Sequence, residues 1–207
     1  HYHFEYVNTW PRPFQQPHPP IWIPSQGSEE TIRWASEPTR KYVYLNTYSP
    51  FEAVSTFFQM YRDIAEKEWN YEASGEQLGW AVPIYVAETD EIALKEAKPH
   101  IEAFYNKFLR MTNQMLLPPG YTTLTSMKKI AEAKKEMLSG GREMSRLMDN
   151  RMFICGSPNT VQEILTECYD QVGLEHIVCT LQFGTLPHEL TVKNLELFSK
   201  EVMPQLR

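Results

Sequence analysis

Long apolar runs are missing from this chain: nothing in it approaches the ~20 consecutive apolar residues of a membrane-spanning helix. A cationic excess is missing too, with 20 Lys and Arg against 26 Asp and Glu and a net charge of −6, so no nucleic-acid surface is expected. Cysteine is scarce. Cys155, Cys168 and Cys179 are odd in number and irregular in spacing, which argues against a disulfide framework or a zinc site and predicts reduced thiols in a cytoplasmic protein. The nine glycines form neither a dinucleotide fingerprint nor a P-loop, and no serine stands in a nucleophile elbow. The six histidines lie far apart, with no HxxxH or HxH pair facing one way on regular structure, so no metal site is expected. The opening His1-Tyr2-His3-Phe4 lacks the pattern of a signal peptide and is not expected to be a natural start.

What the chain does have is the composition of a globular core, 42% hydrophobic and 13% aromatic over 207 residues. Tyr2–Thr9 (YHFEYVNT) alternates loosely and predicts a short hairpin arm. Pro11–Pro20 carries five prolines and must be extended. Ile21–Pro24 predicts a short buried strand, and Ser28 opens a helix to about Ser36. Lys41–Thr47 (KYVYLNT) predicts a second strand, with its core at Tyr42–Thr47. Ser49-Pro50-Phe51-Glu52 has the form of a helix start, with Ser49 as cap and Pro50 in the first helical position. That helix runs to about Trp69 on apolar residues at helical spacing.

Trp80–Ala87 (WAVPIYVA) predicts a third strand. Thr89 caps a helix to about Met111, bent near Pro99, with Asp90 and Glu91 facing the positive end of the helix dipole. Thr112–Arg151 exceeds a normal connection and is expected to be an insertion with its own helices, including a charged one (KKIAEAKKEMLS). Cys155-Gly156-Ser157-Pro158 opens a helix over Asn159–Gln171 that Gly173 stops. His176–Phe183 (HIVCTLQF) predicts the fourth strand, centred on Ile177–Leu181, and Leu186–Leu206 the final helix. Four short apolar strands, each followed by a helix, predict a parallel α/β sheet with right-handed crossovers, the four strands adjacent in chain order.

The ordered segments NTWPRPFQQPHPPIWIPSQGS, PIYVAETDEIALKEA, GSPNTVQEIL, LQFGTLPHE and LFSKEVMPQL together resemble the luciferase-like monooxygenase family. The proline-rich arm and the terminal E-V-M-P are the strongest parts of the likeness. The resemblance covers nearly the whole chain and implies a TIM barrel. It also implies that only barrel strands five to eight are present, so residues 1–207 are expected to form the C-terminal half of a longer barrel domain. In that mapping 1–20 is a rim hairpin with the proline-rich arm and 112–151 an insertion or lid.

Ser25-Gln26-Gly27-Ser28 lies between a strand's C-terminal end and a helix N-terminus, on the face where such barrels keep their sites. Free N–H groups and the helix dipole there suit an anion. The resemblance implies that this loop contacts the phosphate of flavin mononucleotide (FMN), carried over for Gly27 and Ser28, with Ser25 and Gln26 as neighbours. The plainer alternative is that Ser28 only caps a helix, with Glu29 and Glu30 complementing its dipole. Phe183 either lines a flavin cavity or fills core. Gly184 is read as a turn, Tyr85 as core, Glu88 and Thr89 as loop and cap, and Cys155 as an inert buried thiol. Arg142, Arg146 and Arg151 in the insertion either meet an anionic substrate group or form a solvated helical face. His188 either faces the site or is an exposed first-turn residue. No catalytic residue is identified.

The resemblance further implies reduced FMN, delivered by a flavin reductase, acting with dioxygen on a small organic substrate, in a protein that forms a homodimer when full length. Two alternatives stay open: a flavin-binding relative without turnover, and an oxidoreductase dependent on the deazaflavin F420.

Overall fold

A computed structural model of the chain describes residues 3–8, 10–109, 124, 128 and 142–206. Most of the insertion, with its charged helix, therefore lies outside the described residues; Leu124 and Lys128 are helical.

The first strand, β1 (Trp22–Ser25), follows the proline-rich arm and feeds α1 (Glu29–Ser36). Ser28 caps α1, its hydroxyl accepting the Thr31 N–H at 3.4 Å. Then come β2 (Val43–Thr47) and α2 (Phe51–Lys67), and the long strand β3 (Leu78–Val86), entered through a single 3-10 turn at Gly75–Gln77. Thr89 caps α3 (Asp90–Ala103), which carries Pro99 inside it and continues into a π-helical turn at Phe104–Phe108. A short helix α4 (Met144–Asp149) leads to β4 (Ile154–Gly156) and α5 (Pro158–Val172). Ser157 caps α5, Pro158 takes its first position, and Gly173 ends it in the left-handed conformation at φ 58°. The chain closes with β5 (His176–Thr180), α6 (His188–Leu197), a π-helical turn over Phe198–Val202 and a 3-10 turn over Met203–Gln205.

All strand pairs are parallel. β1 pairs β2, β2 pairs β3, and β3 pairs β5 through Gly79–Pro83. The four expected strands are thus adjacent in chain order, each boundary within a few residues of its predicted place. A fifth strand, β4, was not expected: Ile154–Gly156 pairs with Ile84–Val86 at the far end of β3. Its three residues are too few to show a period, and the Ser157-Pro158 cap signal masks them. Two helix details also differ. Pro50, not Ser49, is the N-cap of α2, and the Phe51 N–H is satisfied from afar by the Asn150 carbonyl at 3.0 Å. The hairpin expected over Tyr2–Thr9 is not formed in its described part: residues 3–8 have no strand pairing. Phe4, Tyr6 and Val7 are exposed there.

Alternation along the strands sorts side chains onto two faces. Tyr44, Leu78, Trp80, Val82, Ile84 and Val86 join α1, α2 and α5 in the larger core. The spacing of Val54, Phe58, Tyr61 and Ala65 gives α2 one apolar stripe, and the rings of Phe58 and Tyr61 stand 6.3 Å from that of Tyr44. Burying one such side chain stabilises by about 1.5–3 kcal/mol. Tyr85 points the other way, into a second core with α3, α4, Phe153 and Phe183. On the opposite face of the lower sheet the Trp22 ring crosses over Gly79, 3.2 Å from where a Cβ would stand, and reaches the His176 ring at 4.8 Å.

Candidate functional site

The C-terminal strand ends carry two turns of similar design. Ser25-Gln26-Gly27-Ser28 joins β1 to α1, and Gly156-Ser157 joins β4 to α5. Both have a small residue, then a serine cap, then a helix whose first N–H groups point back at the turn. Both can hold a negative charge there.

What each already holds differs. At the second turn the Asp90 carboxylate, from the first turn of α3, accepts the Ser157 N–H at 2.6 Å and the Thr160 hydroxyl at 3.1 Å. The Ser157 N–H leads the interactions that keep this carboxyl below its usual range. A Cβ on Gly156 would stand 2.8 Å from an Asp90 oxygen. The protein's own anion fills this turn.

At the first turn the occupant is neutral. The Ser25 hydroxyl accepts the Gly27 N–H at 3.3 Å and the Ser28 N–H at 3.4 Å, both long. An incoming phosphate has only to displace a weakly held hydroxyl, whereas at Ser157 it would have to expel a carboxylate. Of the two turns, Ser25–Ser28 is the one whose donors fit a phosphate. Gly27 sits at φ 99° with the Phe57 ring against it, 2.0 Å from where a Cβ would be; glycine is required for that packing. Gln26 is exposed and the other three loop residues are half-buried.

Two features limit this turn. The Ser28 hydroxyl donates to Glu30 at 2.8 Å, so its proton is committed and a negative charge stands beside it. The nearby cation Arg33 is held between Glu29 at 3.1 Å and Glu68 at 2.9 Å. The donors this turn leaves for an anion are its backbone N–H groups.

The other expected residues stand on different elements. Arg142 donates to the Tyr105 carbonyl, and the Asn106 side chain donates to the Arg142 carbonyl at 3.4 Å. Arg146 is exposed on α4. Arg151, in the turn after α4, is tied to Glu167 of α5 at 2.6 Å and lies over the Phe51 ring of α2; it joins two helices and is not on a solvated helical face. His188 is the exposed first residue of α6. Phe183 is core, edge-on to Phe153 and Tyr85. Tyr85 is fully buried and its hydroxyl donates to Glu96 at 2.8 Å. Glu96 and Glu88 in turn hold Lys193 of α6 at 2.9 and 2.6 Å. Cys155 is buried in β4, where desolvation pushes its thiol up to about 12 and keeps it protonated.

One feature of this region was not read from the sequence. Asn46, fully buried at the end of β2, stands in register with Ser25. Its only sequence signal is an amide inside an otherwise apolar strand on the same face as Tyr44.

Among the described residues no group of three or more His, Cys, Asp or Glu is placed to hold a metal ion, and no helix is long and apolar enough to cross a membrane.

Residues 1–176 match the family described as luciferase-like monooxygenase. A curated relative, the uncharacterized protein y4wF of Sinorhizobium fredii, is 24% identical over 209 residues, covering 99% of this chain and 54% of that protein. The chain thus spans about half the length of the relative it matches. Among solved structures, it is similar to the oxygenating constituent of 3,6-diketocamphane monooxygenase from Pseudomonas putida, in complex with FMN. There the TM-score is 0.64 at 20% identity, over 92% of this chain and 50% of that one. Monooxygenase RslO1 from Streptomyces bottropensis gives 0.63 at 18%, over 94% and 50%. The coenzyme F420-dependent tetrahydromethanopterin reductase of Methanopyrus kandleri gives 0.55 at 18%, over 91% and 51%. These likenesses fix the fold: a parallel α/β segment corresponding to half of such a barrel.

Proposed function

The chain belongs to the luciferase-like monooxygenase family, and from that premise we propose that it is the C-terminal half of a flavin-dependent monooxygenase that binds FMN and oxidises a small organic substrate with dioxygen. Reduced flavin, when bound, supplies the electrons that activate dioxygen. This chain's part is to hold the cofactor's phosphate at Ser25–Ser28. A flavin reductase supplies the reduced cofactor, and the full-length protein is a homodimer.

The observation that supports this reading is the neutral occupant of the first turn: two backbone N–H groups at a helix N-terminus rest on the Ser25 hydroxyl. Phosphate oxygens would replace two long neutral hydrogen bonds by charge-assisted ones, and the helix dipole adds to the gain. The Ser28 hydroxyl stays with Glu30 and Thr31 as a cap.

The reaction is tested on full-length protein with reduced FMN, isotopically labelled dioxygen and a panel of small organic substrates. One labelled oxygen atom in the product is the expected result. Unlabelled product formed at the expense of reduced F420 would replace the monooxygenase by a hydride-transferring reductase, the second reading.

The phosphate turn has its own test. Ser28→Asp keeps a side chain that caps α1, so stability should change little. The added carboxylate sits against the phosphate, so FMN affinity should fall at least about tenfold, the equivalent of one charge-assisted hydrogen bond. Riboflavin, which lacks the phosphate, should bind the variant as it binds the parent. Equal loss of both ligands would reduce the turn to a helix cap.

A further inference from the structure

Behind the Ser25–Ser28 turn lies a buried polar pair that the fold leaves unsatisfied. Asn46 is wholly buried, and among the described residues neither its amide nitrogen nor its amide oxygen has a hydrogen-bond partner. The hydroxyl of Tyr44, two residues earlier on the same face and also wholly buried, has none either. Both lie beside the turn. Asn46 stands opposite Ser25 in the β1–β2 ladder. The Tyr44 hydroxyl lies near the Asn46 amide, the Ser25 hydroxyl and the Gly27 backbone, close enough for each to oppose the rise in its pKa that burial causes, yet it makes a full hydrogen bond with none of them. A buried amide costs free energy when it is unpaired, and native folds rarely leave one so. The larger core that this face joins is otherwise built of apolar and aromatic side chains, and an apolar residue at position 46 would pack there without that cost. The amide therefore has a use in another state of the same turn.

We propose that Asn46 is a positioning residue for a phosphate monoester: it receives the Ser25 hydroxyl when the ligand's phosphate displaces that hydroxyl from the Gly27 and Ser28 N–H groups. The proposal rests on the phosphate reading above. The exchange balances. Without ligand, Ser25 accepts two N–H groups, and Asn46 and Tyr44 go unpaired. With ligand, the phosphate accepts both N–H groups, the Ser25 hydroxyl donates to Asn46 Oδ1, and Asn46 Nδ2 donates to the Tyr44 hydroxyl. Binding thus discharges the buried polar debt in the same step that frees the turn, and only a ligand carrying the phosphate does so.

The test is Asn46→Leu in the full-length protein, titrated with FMN and with riboflavin and melted without ligand. Removal of an unpaired buried amide should leave Tm unchanged or raise it. FMN affinity should fall about tenfold, one hydrogen bond's equivalent, while riboflavin affinity stays within about twofold. Ser25→Ala removes both the hydroxyl that competes with the phosphate and the donor to Asn46, so in its background Asn46→Leu should cost no further FMN affinity. Asn46→Thr, which keeps an acceptor for Ser25, should regain part of the FMN preference. Loss of folding in Asn46→Leu would show that the amide is an ordinary structural partner and overturn the proposal. So would equal weakening of both ligands, or unchanged FMN binding. A parent protein that binds FMN no more tightly than riboflavin would remove the phosphate reading itself, and this proposal with it; a parent that prefers FMN and a variant that keeps the preference would remove only the role of Asn46.

Discussion

Asn194→Leu is expected to destabilise the protein by about 4 kcal/mol, as two buried backbone groups and one half-buried one are left without partners at roughly 1–3 kcal/mol each. Asn194 lies on α6 and is fully buried. Its Oδ1 accepts the Val86 N–H at 2.8 Å, and its Nδ2 donates to the Ile84 carbonyl at 2.8 Å and the Leu181 carbonyl at 2.9 Å. One amide therefore closes the accounts of β3's last residues and of the chain leaving β5. Leucine fills the volume and satisfies none of the three. For a domain of this size the melting temperature should fall by roughly 10 °C, at 2–4 °C per kcal/mol. Asn194→Asp separates hydrogen bonding from packing. Its carboxylate still accepts from Val86, but its other oxygen meets two carbonyls, so burial and repulsion raise its folded pKa above the ~3.9 of an unfolded chain. With the folded pKa raised, the neutral form is the one the fold favours. The deficit should be smallest below pH ~4 and grow as pH rises through the raised value. Thermal melts followed by circular dichroism at several pH values measure both effects. A loss below about 1 kcal/mol in Asn194→Leu would mean that water satisfies these groups.

Gly184→Ala carries the second large effect. Gly184 turns the chain from β5 towards α6 at φ 55°, and a Cβ there would stand 2.2 Å from the His100 carbonyl oxygen and 3.1 Å from the Phe104 nitrogen. Those are backbone atoms near the end of α3, so nothing flexible can yield. The turn has to lift away from α3, taking along the buried Phe183 and the 2.8 Å contact between the His100 ring and the Thr185 hydroxyl. Left-handed strain and overpacking together come to about 3 kcal/mol. Gly173→Ala is the control. It shares the left-handed backbone at φ 58°, but its Cβ would meet only an Arg62 guanidinium nitrogen at 3.3 Å, the far end of a long side chain. It should cost about 1 kcal/mol. Urea unfolding of both variants reads the difference; equal costs would show that the close approach to α3 does not exist in solution.

These two positions also show where the sequence stops being readable. Helix starts at Ser28, Thr89 and Ser157 were legible because a cap and the N–H it serves lie within a few residues. The α2 start was misplaced by one residue because its partner, the Asn150 carbonyl, comes from a distant segment. Four strands could be seen through their apolar runs; β4 exists only because Ile84–Val86 offer it a ladder. At the candidate site, Ser25–Ser28 announced itself as a small polar turn. That Ser25 would occupy its own turn, that Asp90 would fill the other, and that Asn46 would lie unpaired behind the first all depend on ladder register and helix placement. No local pattern encodes those. Arg142, Arg146 and His188 were chosen for charge and loop position, which say nothing of direction.

The two partners that β3 takes beyond β2 bear on how this sheet assembles. Residues Gly79–Pro83 pair with His176–Thr180, and Ile84–Val86 with Ile154–Gly156, so both ladders close over everything between α3 and β4. Closing a loop costs more as it lengthens, but only logarithmically: doubling it adds about 0.6 kcal/mol. The ladders' own gain sets the sheet's geometry, and the length of chain between them hardly enters. By closure entropy alone, the number of residues joining α3 to α4 therefore matters little to whether β3 pairs with β4 and β5. In kinetic terms, β1, β2 and the first part of β3 can zip locally, while the closure onto β5 is the slow, high-contact-order step.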